Sequence, residues 1–193
     1  MEAILNGIKD GTIKNVKPSV VISNKQDARA LEIARQYGVD TAFIDDEGKK
    51  GANWDYDRKI DKCLQEHNVT PENGLICLAG FMRILSRELV HRYRGRILNI
   101  HPSLLPSFKG LNAQKQALEY GVKITGCTVH FIDEDVDTGP IIIQVPVEVK
   151  DDDTPDTLAA RILELEHKIY PEAVRLFAEG KLSVNGRRVS IRP

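Results

Sequence analysis

The chain has 193 residues, 41% of them apolar, with Lys+Arg 27 against Asp+Glu 28. That length and composition support one globular domain, residues 1–193, with a sizeable core. The near-neutral charge argues against bulk attraction to nucleic acid or to an anionic membrane, and no apolar run approaches the roughly 20 residues of a membrane span.

The start, MEAILNGIKDG, has neither the basic n-region nor the apolar h-region of a secretory signal. Cys63, Cys77 and Cys127 lie far apart with no C-x-x-C pattern, so they read as reduced thiols packed as small hydrophobes. Both features point to a cytoplasmic protein without a disulfide or zinc site.

Met1, Ile4, Leu5 and Ile8 recur at helical spacing and Gly11 follows as a stop, so the chain opens on a helix. Ser19–Ser23 is a short apolar run after Pro18, the pattern of a buried parallel strand. A helix is predicted over 26–37, a strand over Thr41–Ile44 and a loop over Asp45–Gly51. A helix over Asn53–His67, a strand over Gly74–Ala79, a Ser86-capped helix to Arg94 and a strand over Arg96–Ile100 follow.

This alternation predicts an α/β fold, a mostly parallel sheet flanked by helices. Two longer strands, Thr125–Ile132 and Pro140–Val149, then flank the acidic loop Asp133–Gly139 and could be neighbours in the same sheet. Thr154 and Pro155 open a long helix, expected to break near Pro171 and resume to Glu179. A terminal hairpin turning at Asn185-Gly186 closes the chain.

Doubly wound sheets usually begin with a central strand whose turn feeds the first helix. Here the first element is already the helix, so a strand of about 5–6 residues is missing from the pattern. The sheet should either show a gap or close up around it.

The stretch Asn99-Ile-His-Pro-Ser-Leu-Leu-Pro106 holds the most chemistry. Asn99 and His101 sit two apart at the carboxyl end of a predicted strand, on one face, where open α/β sheets bind ligands. Pro102 and Pro106 stiffen the exit. An amide and an imidazole on a rigid element can donate to a developing oxyanion; equally, His101 could be satisfied by a local backbone partner.

The second stretch carries Asp133, Glu134, Asp135 and Asp137. It reads either as a solvated loop or cation site, or as a loop whose Asp137, beside Gly139-Pro140, returns to His101 and favours its charged form. The residue spacing of an EF-type calcium loop is absent.

Asn99-x-His101-Pro-Ser-Leu-Leu-Pro, the Asp137-Thr-Gly-Pro turn and Ala79-Gly-Phe-Met-Arg-Ile-Leu85 together resemble the folate-dependent formyltransferase family. Gly126–Phe131 and Glu166-His-Lys-Ile-Tyr-Pro171 extend the resemblance over essentially the whole chain, toward the branch that formylates glycinamide ribonucleotide in purine synthesis. The resemblance implies a Rossmann-like formyltransferase fold and 10-formyltetrahydrofolate as formyl donor, with no metal. It implies a monomer or homodimer, and no nucleic-acid or membrane partner.

The resemblance makes Asn99, His101 and Asp137 the catalytic group. Met82, Arg83, Ile84 and Leu85 with Asn99, Asp133, Glu134, Asp135, Val136 and Asp137 would bind folate, Leu85, Val90 and Ile132 sandwiching its ring. Pro102 and Glu166 would meet the nucleotide substrate.

The family's first strand and its Gly/Ser-rich phosphate loop have no counterpart ahead of Met1; Leu163 stands where relatives carry Gln or Lys, and Asn53 where they often have Arg. Hydrolysis of the same folate to formate, another folate-dependent formyl transfer and an inactive folate-binding remnant are the alternatives.

Overall fold

In a computed structural model, residues 1–48 and 51–193 are described. Lys49 and Lys50, in the expected loop, lie outside them. Helix α1 (Glu2–Lys9) opens the chain. The following elements are β1 (Val20–Ser23), α2 (Arg29–Gln36), β2 (Asp40–Phe43), α3 (Trp54–Glu66), β3 (Ile76–Leu78), α4 (Arg87–Arg92) and β4 (Ile97–His101). Then come α5 (Ala113–Tyr120), β5 (Ile124–Phe131), β6 (Ile141–Glu148), α6 (Pro155–Ala178), β7 (Leu182–Asn185) and β8 (Arg188–Ile191).

Local chemistry sets the helix starts. The Asn53 side chain accepts from the Tyr56 N–H and Ser86 from Leu89, while Thr154 and Thr157 form a reciprocal capping box across Pro155, the first helical residue of α6. Helix α5 has no counterpart among the predicted elements. Helix α6 runs unbroken through Pro171, contrary to the expected interruption. An interior proline costs a helix roughly 3 kcal/mol. Ile169, Tyr170, Ala173 and Val174 on either side are buried and hold the helix on the sheet. The terminal hairpin turns at Gly186-Arg187, one residue later than expected.

The strands form two sheets, β1-β2 and β3-β4-β5-β6-β8-β7. Pairs β1–β2, β3–β4 and β6–β8 are parallel, whereas β4–β5, β5–β6 and β7–β8 are antiparallel, so the α/β sheet is mixed. Strands β5 and β6 are neighbours, as their sequence allowed.

Strands β1 and β3 are not hydrogen-bonded to each other, which is the gap. Val20 and Ile22 of β1 and Ile76 and Leu78 of β3 nevertheless pack on one core cluster built by Tyr56, Ile60, Leu64 and Tyr93. On the other face Met1 and Leu5 meet Val21, while Ile4 and Ile8 share a cluster with Cys77. The two sheets are thus covered by common layers.

Helix α6 lies over β5 and β6, its Leu158, Ile162 and Val174 packing with Cys127, Val129 and Ile142. Tyr170 reaches further, its hydroxyl meeting the carbonyls of Leu78 (2.8 Å) and Leu98 (3.0 Å).

Candidate active site

Strand β4 carries Asn99 and His101 on one face and ends at His101, which is buried. The loop that follows is fixed to the sheet. The Thr128 hydroxyl donates to the Ser103 carbonyl (2.6 Å) and accepts from the Leu105 N–H (3.1 Å). The Gln144 amide donates to the Leu105 carbonyl at 2.9 Å. So held, the loop returns the Phe108 carbonyl to His101 Nε2 at 2.8 Å and the Gly110 N–H to Asp137 Oδ2 at 2.9 Å.

Asp137 lies between β5 and β6 with φ +51°, in the left-handed region that Asn and Asp tolerate better than most residues. Its Oδ2 is 3.3 Å from His101 Nδ1. Both ring nitrogens of His101 therefore face oxygens that only accept. Only the doubly protonated ring satisfies both partners. The local backbone partner and the Asp137 partner, alternatives on the sequence, both exist, one on each side of the ring.

His130, absent from the expected site, completes the group. Register pairs it with Asn99 across β4 and β5. Its ring is fully buried, with Nδ1 2.8 Å from the Phe131 carbonyl. Nε2 lies 3.2 Å from Asn99 Nδ2 and 3.7 Å from Asp137 Oδ1. Burial pushes the His130 pKa below its ordinary value, so the ring is neutral near pH 7. With Nδ1–H donated to the carbonyl, Nε2 accepts from the Asn99 amide and fixes which way that amide points; these assignments follow from the partners. Asn99, His101 and Asp137 thus converge, with the His130 ring bonded to Asn99 and packed beside Asp137.

The expected folate residues divide. Met82 (75% exposed), Ile84 and Val136 are open apolar surface. Leu85 and Val90 are buried in the core with Ile132 packed against them, so they back the surface rather than form it. The Arg83 guanidinium is 2.7 Å from Asp46 Oδ2 and lies 4.5 Å from the Tyr56 ring centroid. That side chain is committed to the neighbouring loop.

In the acidic loop, Thr138 donates to the Asp133 carboxylate and to the Asp135 carbonyl. Glu134 meets His91 Nε2 at 2.6 Å and Arg87 Nε at 3.6 Å. Pro102 is half-buried beside His101. Glu166, on α6, stands outside the hydrogen-bonded group; burial raises its pKa, against the pull of the Met1 ammonium nearby. Burial also pushes the Cys77 and Cys127 thiols up to about 12, so neither is a nucleophile at neutral pH.

Residues 1–174 match the family model described as formyl transferase. A trifunctional purine biosynthetic protein adenosine-3 of Gallus gallus is 47% identical over 184 residues, 95% of this chain; the chain spans only 18% of that relative's length. The phosphoribosylglycinamide formyltransferase of Escherichia coli (strain K12) is 41% identical over 191 residues, 96% of this chain and 84% of that protein. The crystal structure of glycinamide ribonucleotide transformylase 1 from Symbiobacterium toebii superimposes with a TM-score of 0.92 at 49% identity, covering 100% of this chain and 88% of that one. On sequence and on fold alike, the chain belongs to the formyl transferase family.

Proposed function

We propose that the chain transfers the formyl group of 10-formyltetrahydrofolate to the amine of glycinamide ribonucleotide in purine synthesis. The observation that carries this reading is the convergence of Asn99, His130, Asp137 and His101 at the carboxyl end of β4. Relatives named for glycinamide ribonucleotide formylation support the choice of substrate.

The neutral amine attacks the formyl carbon, and the carbonyl π pair moves to oxygen. The Asn99 amide, turned by His130, donates one N–H to that oxygen. The His101–Asp137 contact, 3.3 Å, is longer than a closed charge-assisted bond of about 2.7–2.9 Å. At that length the Nδ1–H is held loosely by Asp137 and can be shared with the formyl oxygen as negative charge builds on it. Each such donor lowers the barrier by about 3–4 kcal/mol.

The intermediate then breaks its bond to the folate N10. That nitrogen takes up one proton and the attacking nitrogen loses one, with Asp137 and a water as the relay. No metal is needed, because the formyl donor is already activated.

Met82, Ile84 and Val136 offer exposed apolar surface for a flat ring, and the carbonyls and carboxylates of the 133–137 loop suit its N–H groups. Pro102 and Glu166 face the nucleotide substrate, Glu166 taking its amine. Free thiols at Cys63, Cys77 and Cys127 suit a cytoplasmic enzyme.

The test is formyl transfer by the purified chain, set against formate release without the nucleotide, together with His101→Ala. Turnover should fall by about a hundredfold or more, while affinity for a folate analogue stays within a few-fold. A His101→Ala enzyme of near-full rate removes the mechanism; formate release independent of the nucleotide replaces transfer by hydrolysis.

A further inference from the structure

The position of Asp137 depends on its backbone, and its φ of +51° costs an L-residue free energy unless the surroundings impose it. Three restraints surround this turn. From inside, a Cβ on Gly139 would fall 1.8 Å from the Phe131 carbonyl oxygen, so the chain there lies flat on β5. Within the loop, the Thr138 hydroxyl bonds the Asp133 carboxylate and the Asp135 carbonyl. From outside, Arg187 Nη2 donates to the Thr138 carbonyl at 2.7 Å.

Arg187 sits in the turn of the β7–β8 hairpin, at residues the family model does not match. The hairpin is anchored independently of that bond. Leu182 and Val189 pack on the main core cluster, the Lys181 N–H bonds the Leu176 carbonyl (3.0 Å), and β8 joins β6 through the pair Ile141↔Arg188. That pairing lies two residues beyond Gly139. A guanidinium on a fixed platform therefore holds the residue next to Asp137.

We propose that Arg187 is a positioning residue for formyl transfer: through the Thr138 carbonyl it fixes the turn that aims the Asp137 carboxylate at His101. The proposal rests on the function proposed above. The groups facing Asp137 are His101 on β4, His130 on β5 and the Gly110 N–H, with Asp133 one turn back in its own loop. Arg187 touches neither reactant; it acts on the geometry of the relay.

The experiment compares Arg187→Ala, Arg187→Lys and Arg188→Ala with the unmodified chain. It reads kcat, KM for the nucleotide, the pH profile of kcat, the thermal midpoint, and amide hydrogen exchange over residues 133–139. Arg187→Ala should lower kcat by about tenfold or more, since small misplacements of a reacting group cost that much. Its KM for the nucleotide should stay within about twofold. Exchange in the loop should quicken and the alkaline limb of the kcat profile should move to lower pH, with an unchanged midpoint.

Arg187→Lys, which keeps a cationic donor, should recover part of kcat. Arg188→Ala, which removes the adjacent charge and keeps the strand pair, should match the unmodified chain. An Arg187→Ala enzyme with unaltered kcat, profile and exchange overturns the proposal, as does an equal loss in Arg188→Ala. Exchange needs no turnover. An unmodified chain that fails to formylate, yet whose loop loosens in Arg187→Ala, therefore counts against the function and not against the contact.

Discussion

His130 sets the direction of the Asn99 amide only while its Nε2 keeps a lone pair. Burial depresses its pKa in the folded chain, whereas the unfolded chain binds the proton near the ordinary value of about 6.5. The neutral ring's contribution to stability is therefore complete above that pH and is lost as pH falls through the lower folded value. A denaturant midpoint should drop between pH 7 and mildly acid solution, and His130→Gln, which keeps an acceptor without the titration, should drop less. Equal acid sensitivity in the two proteins would remove this role.

The sequence makes Asn99, His101 and Asp137 legible because two share a strand face and the third adjoins a Gly-Pro turn. His130 is 31 residues from Asn99. Only the β4–β5 register sets them opposite each other, and no local pattern encodes that register. Arg83 was legible as a residue of the pocket segment, but its partner Asp46 is 37 residues away, so the direction of its side chain was not.

Among the elements, α6 shows how tertiary contacts override a local signal. Pro171 reads as a breaker, and its neighbours' burial keeps the helix whole. Tyr170 is the clearest anchor: its hydroxyl lies against the carbonyls of β3 and β4, one of them on Leu98, the residue before Asn99. Tyr170→Phe keeps the ring and removes the donor, leaving both carbonyls without it. A net hydrogen bond is worth about 0.5–1.5 kcal/mol, and a buried group left unsatisfied costs about 1–3 kcal/mol. The variant should lose about 1–2 kcal/mol by urea titration, and an unchanged midpoint would mean that the contact does not hold the helix.

Caps and apolar periodicity made most other helices legible. Helix α5 was missed because its eight residues, Ala-Gln-Lys-Gln-Ala-Leu-Glu-Tyr, bury only Ala113 and Ala117. The apolar stripe that would signal it is short, two methyl groups with Leu118 partly buried beside them.

For the whole molecule, the defining feature is the break in hydrogen bonding between β1 and β3. Asn24 after β1 donates to Asp46 after β2 (2.8 Å), and Arg83 after β3 pairs with the same carboxylate (2.7 Å). The carboxyl ends of the three strands therefore meet at one edge of the molecule. The facing edges of β1 and β3 share layers above and below yet do not bond to each other. Each presents backbone groups that a parallel strand could pair, and such a strand would be covered on both faces, which favours an apolar one.

Joining a five-residue Val/Ile-rich strand and a Gly/Ser turn ahead of α1 tests this. Burying each such side chain contributes about 1.5–3 kcal/mol, opposed by about 1–2 kcal/mol per residue of backbone ordering. The small surplus in a chain of this size should raise the thermal midpoint by about 5–10 °C and slow amide exchange in Val20–Ser23 and Ile76–Leu78. The turn would also bring backbone N–H groups to the start of α1, where they can hold a phosphate, so KM for the nucleotide should fall while kcat, set at the far end of β4, changes little. A strand of scrambled polar residues should do neither. If the apolar extension leaves midpoint, exchange and KM as they were, the space between the two sheets is not the width of one strand.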